Sequence, residues 1–230
     1  MTISYSMTVS AIVSAYYAKD FIRARLDNLM YQVPRPEVIV VAQLGSLEAE
    51  IAKTYDIMWI LTPDIPTIYA AWNMAIKASN CDYITNANCD DHIYSGSYAE
   101  MAKVLNDDQS IGLVYGNENQ TDGKTNILKQ RPQGDFGLLT KMCFVGPMPM
   151  WRKSLHDKFG YFNESFRVCG DYEFWLRIAA NGVKLHHIPR ALGLYLNRPN
   201  SAEHRQRIVA TSEKEFLQRT YSGIKVMQNI

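Results

Sequence analysis

The segment Cys81–Tyr94 carries the residue types best suited to metal or sugar chemistry. Tyr83–Thr85 favours extended backbone, and four polar residues able to hold a metal or a sugar follow it: Asn88, Asp90, Asp91 and His92. Two adjacent carboxylates at a strand end repel each other, and a divalent cation offsets that cost because it prefers hard oxygen ligands. A solvated turn is the alternative, because Asp, Asn and His are also common turn residues.

A further carboxylate, Asp171, is predicted to lie in the first turn of a helix. The segment Cys169–Ala179 is amphipathic, with its apolar residues at helical spacing: Phe174, Trp175, Ile178 and Ala179. The helix dipole and the free backbone N–H groups of the first turn stabilise a carboxylate at this position. Simple N-capping is the alternative to a chemical role.

The elements that must position these residues alternate between strand and helix. Compact β-rich runs predict strands at Val9–Ser14, Val38–Val41, Met58–Leu61, Tyr83–Thr85 and Ile111–Tyr115, and helical spacing fills the intervals. Alternation of this kind predicts a parallel sheet with helices on its faces, and ligands of such sheets lie beyond the carboxyl ends of the strands. The sheet should therefore bring Ser14, Ala42 and Asn88 to one rim.

The second half of the chain is less regular. Gly116–Phe136 is polar and rich in glycine, so either a short hairpin or a mobile substrate loop is expected. Val145–Trp151 is too rich in proline for a sheet interior and should line a site. A short strand pair is predicted at Val183–Leu185 and Ala191–Tyr195, followed by a helix over Ser201–Thr220.

Composition narrows the class of protein. The chain has 230 residues, a hydrophobic fraction of 47% and a net charge of +1, which indicates a packed α/β domain and gives no electrostatic support for nucleic-acid binding. No apolar run approaches the roughly 20 residues of a membrane span, and the polar start shows no signal pattern. We therefore expect a cytoplasmic protein, with peripheral contact at the inner membrane left open, and four reduced cysteines.

Three separated blocks of this sequence resemble the family 2 glycosyltransferases, inverting enzymes with the nucleotide-diphosphosugar-binding GT-A fold. The resemblance extends from Val9 to about Tyr195. Its blocks are Val9–Tyr16, then Ile68–Ile76 running into Tyr83–Asp91, then Trp151–Ser154 with Gly160–Phe162 and Gly170–Arg177. The resemblance implies one glycosyltransferase domain over residues 1–230, with a mostly parallel central sheet flanked by helices and a smaller acceptor-side region. Residues 1–116 would bind the nucleotide sugar, residues 117–200 would hold the acceptor and the base, and residues 201–230 would form the C-terminal helix.

The resemblance also assigns roles on the donor side. Asp90 corresponds to the metal ligand of the D-x-D motif for Mn2+ or Mg2+, Asp91 is a second ligand or orients the site, and His204 is a late histidine ligand. Two residues depart from the family pattern. Asn88 replaces the first acidic residue and could accept a ribose hydroxyl, and Gln43 replaces an acidic residue that helps to recognise the nucleotide base.

The remaining roles concern the acceptor and the nucleotide. Asp171 corresponds to the general base of direct displacement, with Glu173 ranked second. Ser14, Tyr16 and Asn73 are expected to contact the nucleotide, diphosphate or sugar. Trp151 is expected in the wall of the acceptor site and Trp175 in the core, while Arg152 either binds a phosphate or caps a helix.

The resemblance implies a metal-dependent transfer of a sugar, as in the hexosyl- or deoxyhexosyltransferases, from a nucleotide-diphosphate sugar to a hydroxyl acceptor in polysaccharide or glycoconjugate synthesis. A non-catalytic sugar- or nucleotide-binding domain of the same fold and a sugar-phosphate nucleotidyltransferase are the alternatives. The acceptor is a saccharide or another hydroxyl compound, a modified nucleic-acid base is not excluded, and a homodimer is left open.

Overall fold

Runs of β-branched residues form the strands of this protein, and amphipathic runs form its helices. The computed structural model describes residues 9–198, 206–224 and 226. The strands are β1 (Val9–Ala15), β2 (Glu37–Gln43), β3 (Met58–Thr62), β4 (Tyr83–Asn86), β5 (His92–Ile93), β6 (Ile111–Thr121), β7 (Asn126–Lys129), β8 (Met150–Arg152) and β9 (Lys184–Leu196). The helices are α1 (Ile22–Met30), α2 (Leu47–Ala52), α3 (Ile68–Ala78), α4 (Ser97–Asp107), α5 (Phe136–Leu139), α6 (Ser154–Phe159), α7 (Gly170–Ala180) and α8 (Arg207–Tyr221).

The described strands form one mixed sheet. Its path is β3-β2-β1-β4-β8-β6-β9-β5, with β7 paired to the end of β6. The first four strands on this path are parallel, and β6 is parallel to β9, whereas β8 runs antiparallel between β4 and β6. The sheet therefore continues from the first half of the chain into the second, and the carboxyl ends of β1 to β4 share one rim.

Helices cover both faces of this sheet. Along β1, Ile12 packs into one apolar cluster, whereas Ala11 and Val13 pack into the other, as the period of two along a strand requires. The first cluster holds the apolar side of α3 and α7, and the second holds that of α1 and α4. Both faces of the parallel strands are consequently buried, which explains their nearly continuous hydrophobic sequence.

Two helix starts depend on local capping. Thr67 before the helical spacing of Ile68–Ile76 predicts an N-cap, and its hydroxyl accepts the Ala70 N–H at 3.1 Å. The Ser46 hydroxyl accepts the Ala49 N–H at 3.1 Å and starts α2 at Leu47. Both caps are Ser or Thr with extended backbone.

The region between residues 116 and 136 contains a hairpin, which was one of the two predicted alternatives. Strand β6 continues to Thr121 and pairs with β7. The Asp122 carboxylate closes the turn by accepting the N–H groups of Lys124 at 2.9 Å and Thr125 at 2.7 Å. The predicted boundary between the two halves, at residue 116, falls inside β6.

Strand β9 corrects the predicted strand pair. Lys184–Leu196 is one continuous strand beside β6, although it contains Pro189. The register shifts where Gly116 pairs with Ile188 and Asn117 pairs with Ala191. Pro189 lies in this irregularity, where its missing N–H removes no regular ladder bond.

The C-terminal helix begins at Arg207 in the described part, and residues 199–205 lie outside it. Within the described ranges, no helix has both the length and the apolar composition needed to span a membrane.

Candidate active site

Three residues predicted to contact the nucleotide lie at the rim formed by the ends of β1, β2 and β3. Tyr16, one residue after β1, lies with its hydroxyl 2.9 Å from the Thr62 hydroxyl at the end of β3. Gln43 ends β2 and donates its amide N–H to the Pro63 carbonyl at 3.4 Å. Burial raises the pKa of Tyr16, so its phenol stays protonated at neutral pH and remains able to donate a hydrogen bond. The structure thus brings together Ser14, Tyr16 and Gln43.

Tyr17 also belongs to this rim, although the sequence did not indicate it. Its φ is +56°, and its side chain is 73% exposed. A left-handed tyrosine costs about 1–3 kcal/mol and persists only where the surroundings fix it, which is typical of ligand-binding loops. A tyrosine in the sequence does not predict a left-handed backbone conformation.

The acidic segment forms a tight turn just after β4. The Asp91 N–H bonds to the Asn88 carbonyl at 3.3 Å, and the Asn88 side-chain amide donates to the Asp91 carboxylate at 3.1 Å. The Cys89 thiol donates to the Ser14 carbonyl at 3.6 Å, which attaches this turn to the end of β1. The acidic turn therefore lies next to the rim formed by the ends of β1, β2 and β3.

Asp91 is only 4% exposed, and its Oδ1 atom has no hydrogen-bond partner in the described part of the chain. Burial, followed by the adjacent Asp90 charge, raises the pKa of Asp91 to about 7, against the lowering effects of Arg25 and Asn88. A buried carboxyl of this kind is stabilised in its charged form by a nearby cation.

Asp90 pairs with Arg198, a residue that the sequence did not reveal. The guanidinium donates Nε–H and Nη2–H to Asp90 Oδ2 at 3.0 and 2.7 Å, and it lies 4.3 Å from the centre of the Phe21 ring. Arg198 lies two residues after the end of β9. This position after a strand is the one feature of the sequence that could have indicated a role at the sheet edge. His204, the predicted late ligand, lies outside the described residues.

The donor set of this turn fits a hard divalent cation. It combines the carboxylates of Asp90 and Asp91, one with an unsatisfied buried oxygen, with the amide oxygen of Asn88. In the described ranges there is no cluster of three or more His, Cys, Asp or Glu side chains that would form a complete site. Oxygen ligands from a diphosphate would complete such a coordination sphere.

Asp171 lies in the first turn of α7, as predicted. Its Oδ1 accepts the Tyr172 N–H at 2.8 Å and the Tyr69 hydroxyl at 3.3 Å. The Tyr69 hydroxyl also donates to the Val168 carbonyl at 2.5 Å. Burial, followed by the Asp171 charge, raises the pKa of Tyr69 well above its usual range, so this phenol remains a donor.

Tyr69 also shows where Asp171 lies relative to the acidic turn. It is the second residue of α3, and α3 begins at the rim where β3 ends. The carboxyl ends of β3 and β4 meet at the same edge of the sheet, so Asp171 and the Asn88–Asp91 turn lie at one edge. Glu173, in contrast, forms a bidentate ion pair with Arg177 at 2.9 and 2.8 Å.

Asn73 does not lie free at the donor site. It is 2% exposed, donates to the Phe162 carbonyl at 2.9 Å and to the Glu164 carboxylate at 2.8 Å, and accepts the Phe162 N–H at 3.0 Å. Its role is to attach the 162–164 segment to α3. Its amide is therefore used inside the protein, and its contact with the nucleotide or sugar stays a prediction.

Trp151 and Arg152 likewise differ from their predicted acceptor roles. Trp151 is 0% exposed because β8 lies inside the sheet, and its ring packs 5.1 Å from that of Trp175. Arg152 donates to the carbonyls of Leu105, Ile111 and Asp108, so the capping alternative describes it. Both side chains are thus engaged inside the protein, and Trp175 lies in the core as predicted.

Known proteins match this chain in sequence family and in fold. Residues 10–168 match the family model described as Glycosyl transferase family 2. The chain belongs to glycosyl transferase family 2. This membership and the names of the relatives confirm the prediction of a glycosyltransferase enzyme.

Curated relatives of this family 2 chain are distant. An uncharacterized glycosyltransferase of Rickettsia felis is 23% identical to this chain. The match covers 76% of this chain and 32% of the length of that relative. YwdF, an uncharacterized glycosyltransferase of Bacillus subtilis, is 22% identical over 93% of the chain and 82% of its own length. WfaP of Escherichia coli, a UDP-Glc:alpha-D-GlcNAc-diphosphoundecaprenol beta-1,3-glucosyltransferase, is 24% identical over 76% of the chain and 72% of its own length.

Solved structures confirm the GT-A fold. TarS of S. aureus, residues 1–349 in complex with UDP-GlcNAc, superposes with a TM-score of 0.71 at 16% identity, covering 94% of this chain and 71% of that one. The mannosyltransferase PcManGT of Pyrobaculum calidifontis, in complex with GDP-Man and Mn2+, superposes with a TM-score of 0.69 at 18% identity, covering 94% and 64%. At these identities the likeness is one of fold.

Proposed function

We propose that this family 2 glycosyltransferase moves a sugar from a nucleotide-diphosphate sugar to a hydroxyl acceptor, with a divalent metal and with inversion. The observation that carries this proposal is the position of Asp171 at the sheet edge that also holds the Asn88–Asp91 turn. A base at one side and a pair of carboxylates at the other match the two ends of a displacement reaction.

Asp171 serves as the general base. Its carboxylate accepts the proton of the acceptor hydroxyl while the hydroxyl oxygen attacks the anomeric carbon. The bond between that carbon and the diphosphate oxygen breaks, and the nucleoside diphosphate leaves with the electron pair. Attack opposite the leaving group inverts the anomeric configuration. Tyr69 orients the base because its hydroxyl contacts Asp171 Oδ1 at 3.3 Å.

The Asn88–Asp91 turn holds the diphosphate end of the donor. A bound Mn2+ or Mg2+, with Asp90 as its principal ligand and Asp91 beside it, would offset the negative charge that develops on the departing diphosphate. Arg198 already supplies a positive charge to Asp90 at its Oδ2 atom. Ser14, Tyr16 and Gln43 contact the nucleotide at the neighbouring rim, and Asn88 accepts a ribose hydroxyl.

The names of the relatives support a proposal for the substrate class. WfaP is named for UDP-Glc and a diphosphoundecaprenol-linked GlcNAc, TarS was solved with UDP-GlcNAc, and PcManGT was solved with GDP-Man. We therefore infer a UDP- or GDP-hexose donor and a saccharide hydroxyl acceptor in polysaccharide or glycoconjugate assembly. Gln43 is the residue positioned to hydrogen-bond the edge of the base, and it would influence the choice between them.

A thermal-shift titration with UDP-Glc, UDP-GlcNAc and GDP-Man, each with Mn2+ or with EDTA, tests the proposal. At a ligand concentration of 100 times Kd the folded state gains about 2.7 kcal/mol, so one donor should raise Tm with Mn2+ and much less with EDTA. Asp90→Ala should remove the metal-dependent part, whereas Asp157→Ala, on the exposed side of α6, should not. No response to any nucleotide sugar would overturn the proposal.

A further inference from the structure

The C-terminal helix α8 is attached to the start of α7 by one carboxylate. Glu213 accepts three consecutive backbone N–H groups, those of Arg167 at 2.7 Å, Val168 at 3.0 Å and Cys169 at 2.8 Å. Arg167 bonds to one carboxylate oxygen, and the other two residues bond to the second. Both oxygens of Glu213 are thus used on a single stretch of backbone.

This stretch needs an acceptor from elsewhere in the chain. Helix α7 begins at Gly170, and its N-cap residue Cys169 makes no capping bond with its side chain. The Cys169 N–H lies at the N-cap and has no partner inside the helix, and the N–H groups of Arg167 and Val168 come just before it. A carboxylate is the favoured partner there, because the helix dipole places positive potential at this end. Glu213 therefore caps α7 from another helix.

The remaining contacts of α8 fix Glu213 in place. Leu217 is buried against the core, the Cys169 thiol donates to the Ala210 carbonyl at 3.5 Å, and the Tyr221 hydroxyl donates to Glu173 at 3.4 Å. These contacts come from Ala210, Glu213, Leu217 and Tyr221, which share one face of a helix. Helix α8 lies beyond residues 10–168, the part that matches the family model.

A second contact to the segment Arg167–Cys169 comes from helix α3. The single O–H proton of Tyr69 in α3 is shared between the Val168 carbonyl, the nearer acceptor at 2.5 Å, and Asp171 Oδ1 at 3.3 Å. Val168 is consequently held at its N–H by Glu213 and at its carbonyl by Tyr69. We call the three bonds from Arg167–Cys169 to Glu213 the clamp. Asp171 lies two residues after Cys169, the last residue in it.

We propose that Glu213 is a positioning residue for Asp171, so that helix α8 forms part of the transfer machinery through the backbone of Arg167–Cys169. This inference rests on the proposed role of Asp171 as general base. A base displaced by about 1 Å loses up to about 100-fold in rate. Donor binding depends instead on the acidic turn and on the ends of β1 and β2. Loss of Glu213 therefore lowers kcat and leaves the donor KM unchanged.

The experiment compares Glu213→Gln and Glu213→Ala with the matched control Glu215→Gln in the full chain. Glu215 is exposed on the same helix and makes none of these contacts. Amide hydrogen exchange of Arg167–Cys169 reports on the clamp, and steady-state transfer kinetics report kcat and donor KM. We expect faster exchange and a kcat lowered about tenfold or more in Glu213→Ala, with donor KM within about twofold.

The glutamine variant separates positioning from folding. It keeps one acceptor oxygen, so its exchange rates and kcat should lie between those of the parent and the alanine variant, and Glu215→Gln should match the parent. Unchanged exchange in both Glu213 variants, or faster exchange with the parental kcat, would overturn the inference. A parent protein with no transfer activity would contradict the proposed function instead, and the exchange rates would still decide whether the clamp forms.

Discussion

At the scale of single residues, the Asp90 carboxylate has two partners: it is the proposed metal ligand, and it also pairs with Arg198. The pair is partly exposed, with side chains 21% and 32% accessible, so its strength should be about 1 kcal/mol or less. Its cation competes with a metal for the same carboxylate. The balance between the two should therefore respond to a change at Arg198.

We predict that Arg198→Gln binds Mn2+ more tightly in the absence of nucleotide, by up to about fivefold in Kd, because about 1 kcal/mol of competing ion pair is removed. Calorimetric titration with Mn2+ measures this change. Arg190→Gln is the matched control, since Arg190 pairs with Glu100 of α4. Weaker Mn2+ binding in Arg198→Gln would show that Arg198 assists the metal site rather than competes for it.

Residue identities showed some of these roles and concealed others. Thr67 and Asp171 were predictable because capping and first-turn positions depend on neighbours a few residues away. Arg198 and Glu213 were not, because their partners lie 108 and more than 40 residues away in sequence. Asn73 looked like a helix-face donor ligand, yet its amide is used by a loop 89 residues later.

At the scale of elements, the packing of α3 against the start of α7 is the contact on which the proposed base depends. A Cβ atom at Gly170 would lie 2.7 Å from the Tyr69 ring, closer than real contacts permit. Glycine here allows the ring to approach, and it is the approach that places the Tyr69 hydroxyl on Asp171. The first residue of α7 is therefore fixed by a neighbouring helix.

We predict that Gly170→Ala destabilises the protein by about 1–3 kcal/mol, the usual cost of overpacking, although alanine favours a helix. It should also lower kcat, because Tyr69 must move away from Asp171. Urea unfolding and transfer kinetics check the two effects. Gly137→Ala in α5, where the new Cβ would have only an ordinary 3.4 Å contact, should cost nothing measurable. Parental stability and kcat in Gly170→Ala would contradict this view of the contact.

Elements with strong local patterns were predictable, and those set by pairing partners were not. The parallel strands β1 to β3 and helix α3 follow directly from apolar periodicity. Strand β8 is only three residues long and is buried because β4 and β6 lie on either side of it, which no local pattern indicates. Strand β9 passes Pro189 because β6 offers an irregular register there.

At the scale of the whole molecule, stability depends on an aromatic cluster that contains a neutral histidine. His156 is stacked on Phe174 with ring centres 4.5 Å apart, and its Nε2 accepts the Trp151 indole N–H at 2.8 Å. Its Nδ1 therefore carries the proton and faces the Gly160 carbonyl at 3.3 Å. Burial, followed by the Arg177 and Lys153 charges, lowers the pKa of His156 to about 4.

We predict that the free energy of unfolding falls as the pH drops from about 6.5 towards 4, because the unfolded state, with its ordinary histidine pKa near 6.5, binds the proton first. His156 should contribute about 3 kcal/mol to this loss and nothing above about pH 7. Urea unfolding at pH 7.5 and pH 4.5 measures it. His156→Gln should lose much of this pH dependence and His186→Gln should keep it; equal slopes in parent and His156→Gln would contradict the prediction.

The whole molecule is organised so that one sheet edge holds both Asp171, the proposed base, and the acidic turn. Asp171→Asn tests this account most directly, because the amide keeps the size of the side chain and cannot take up the acceptor proton. With the donor found by thermal shift, calorimetry should give the same donor Kd in the variant and the parent in Mn2+, while transfer should fall by about 100-fold to 10,000-fold. Asp157→Asn changes another first-turn aspartate, whose side chain is exposed on α6, and should keep the parental rate. A transfer rate in Asp171→Asn equal to that of the parent would contradict the account.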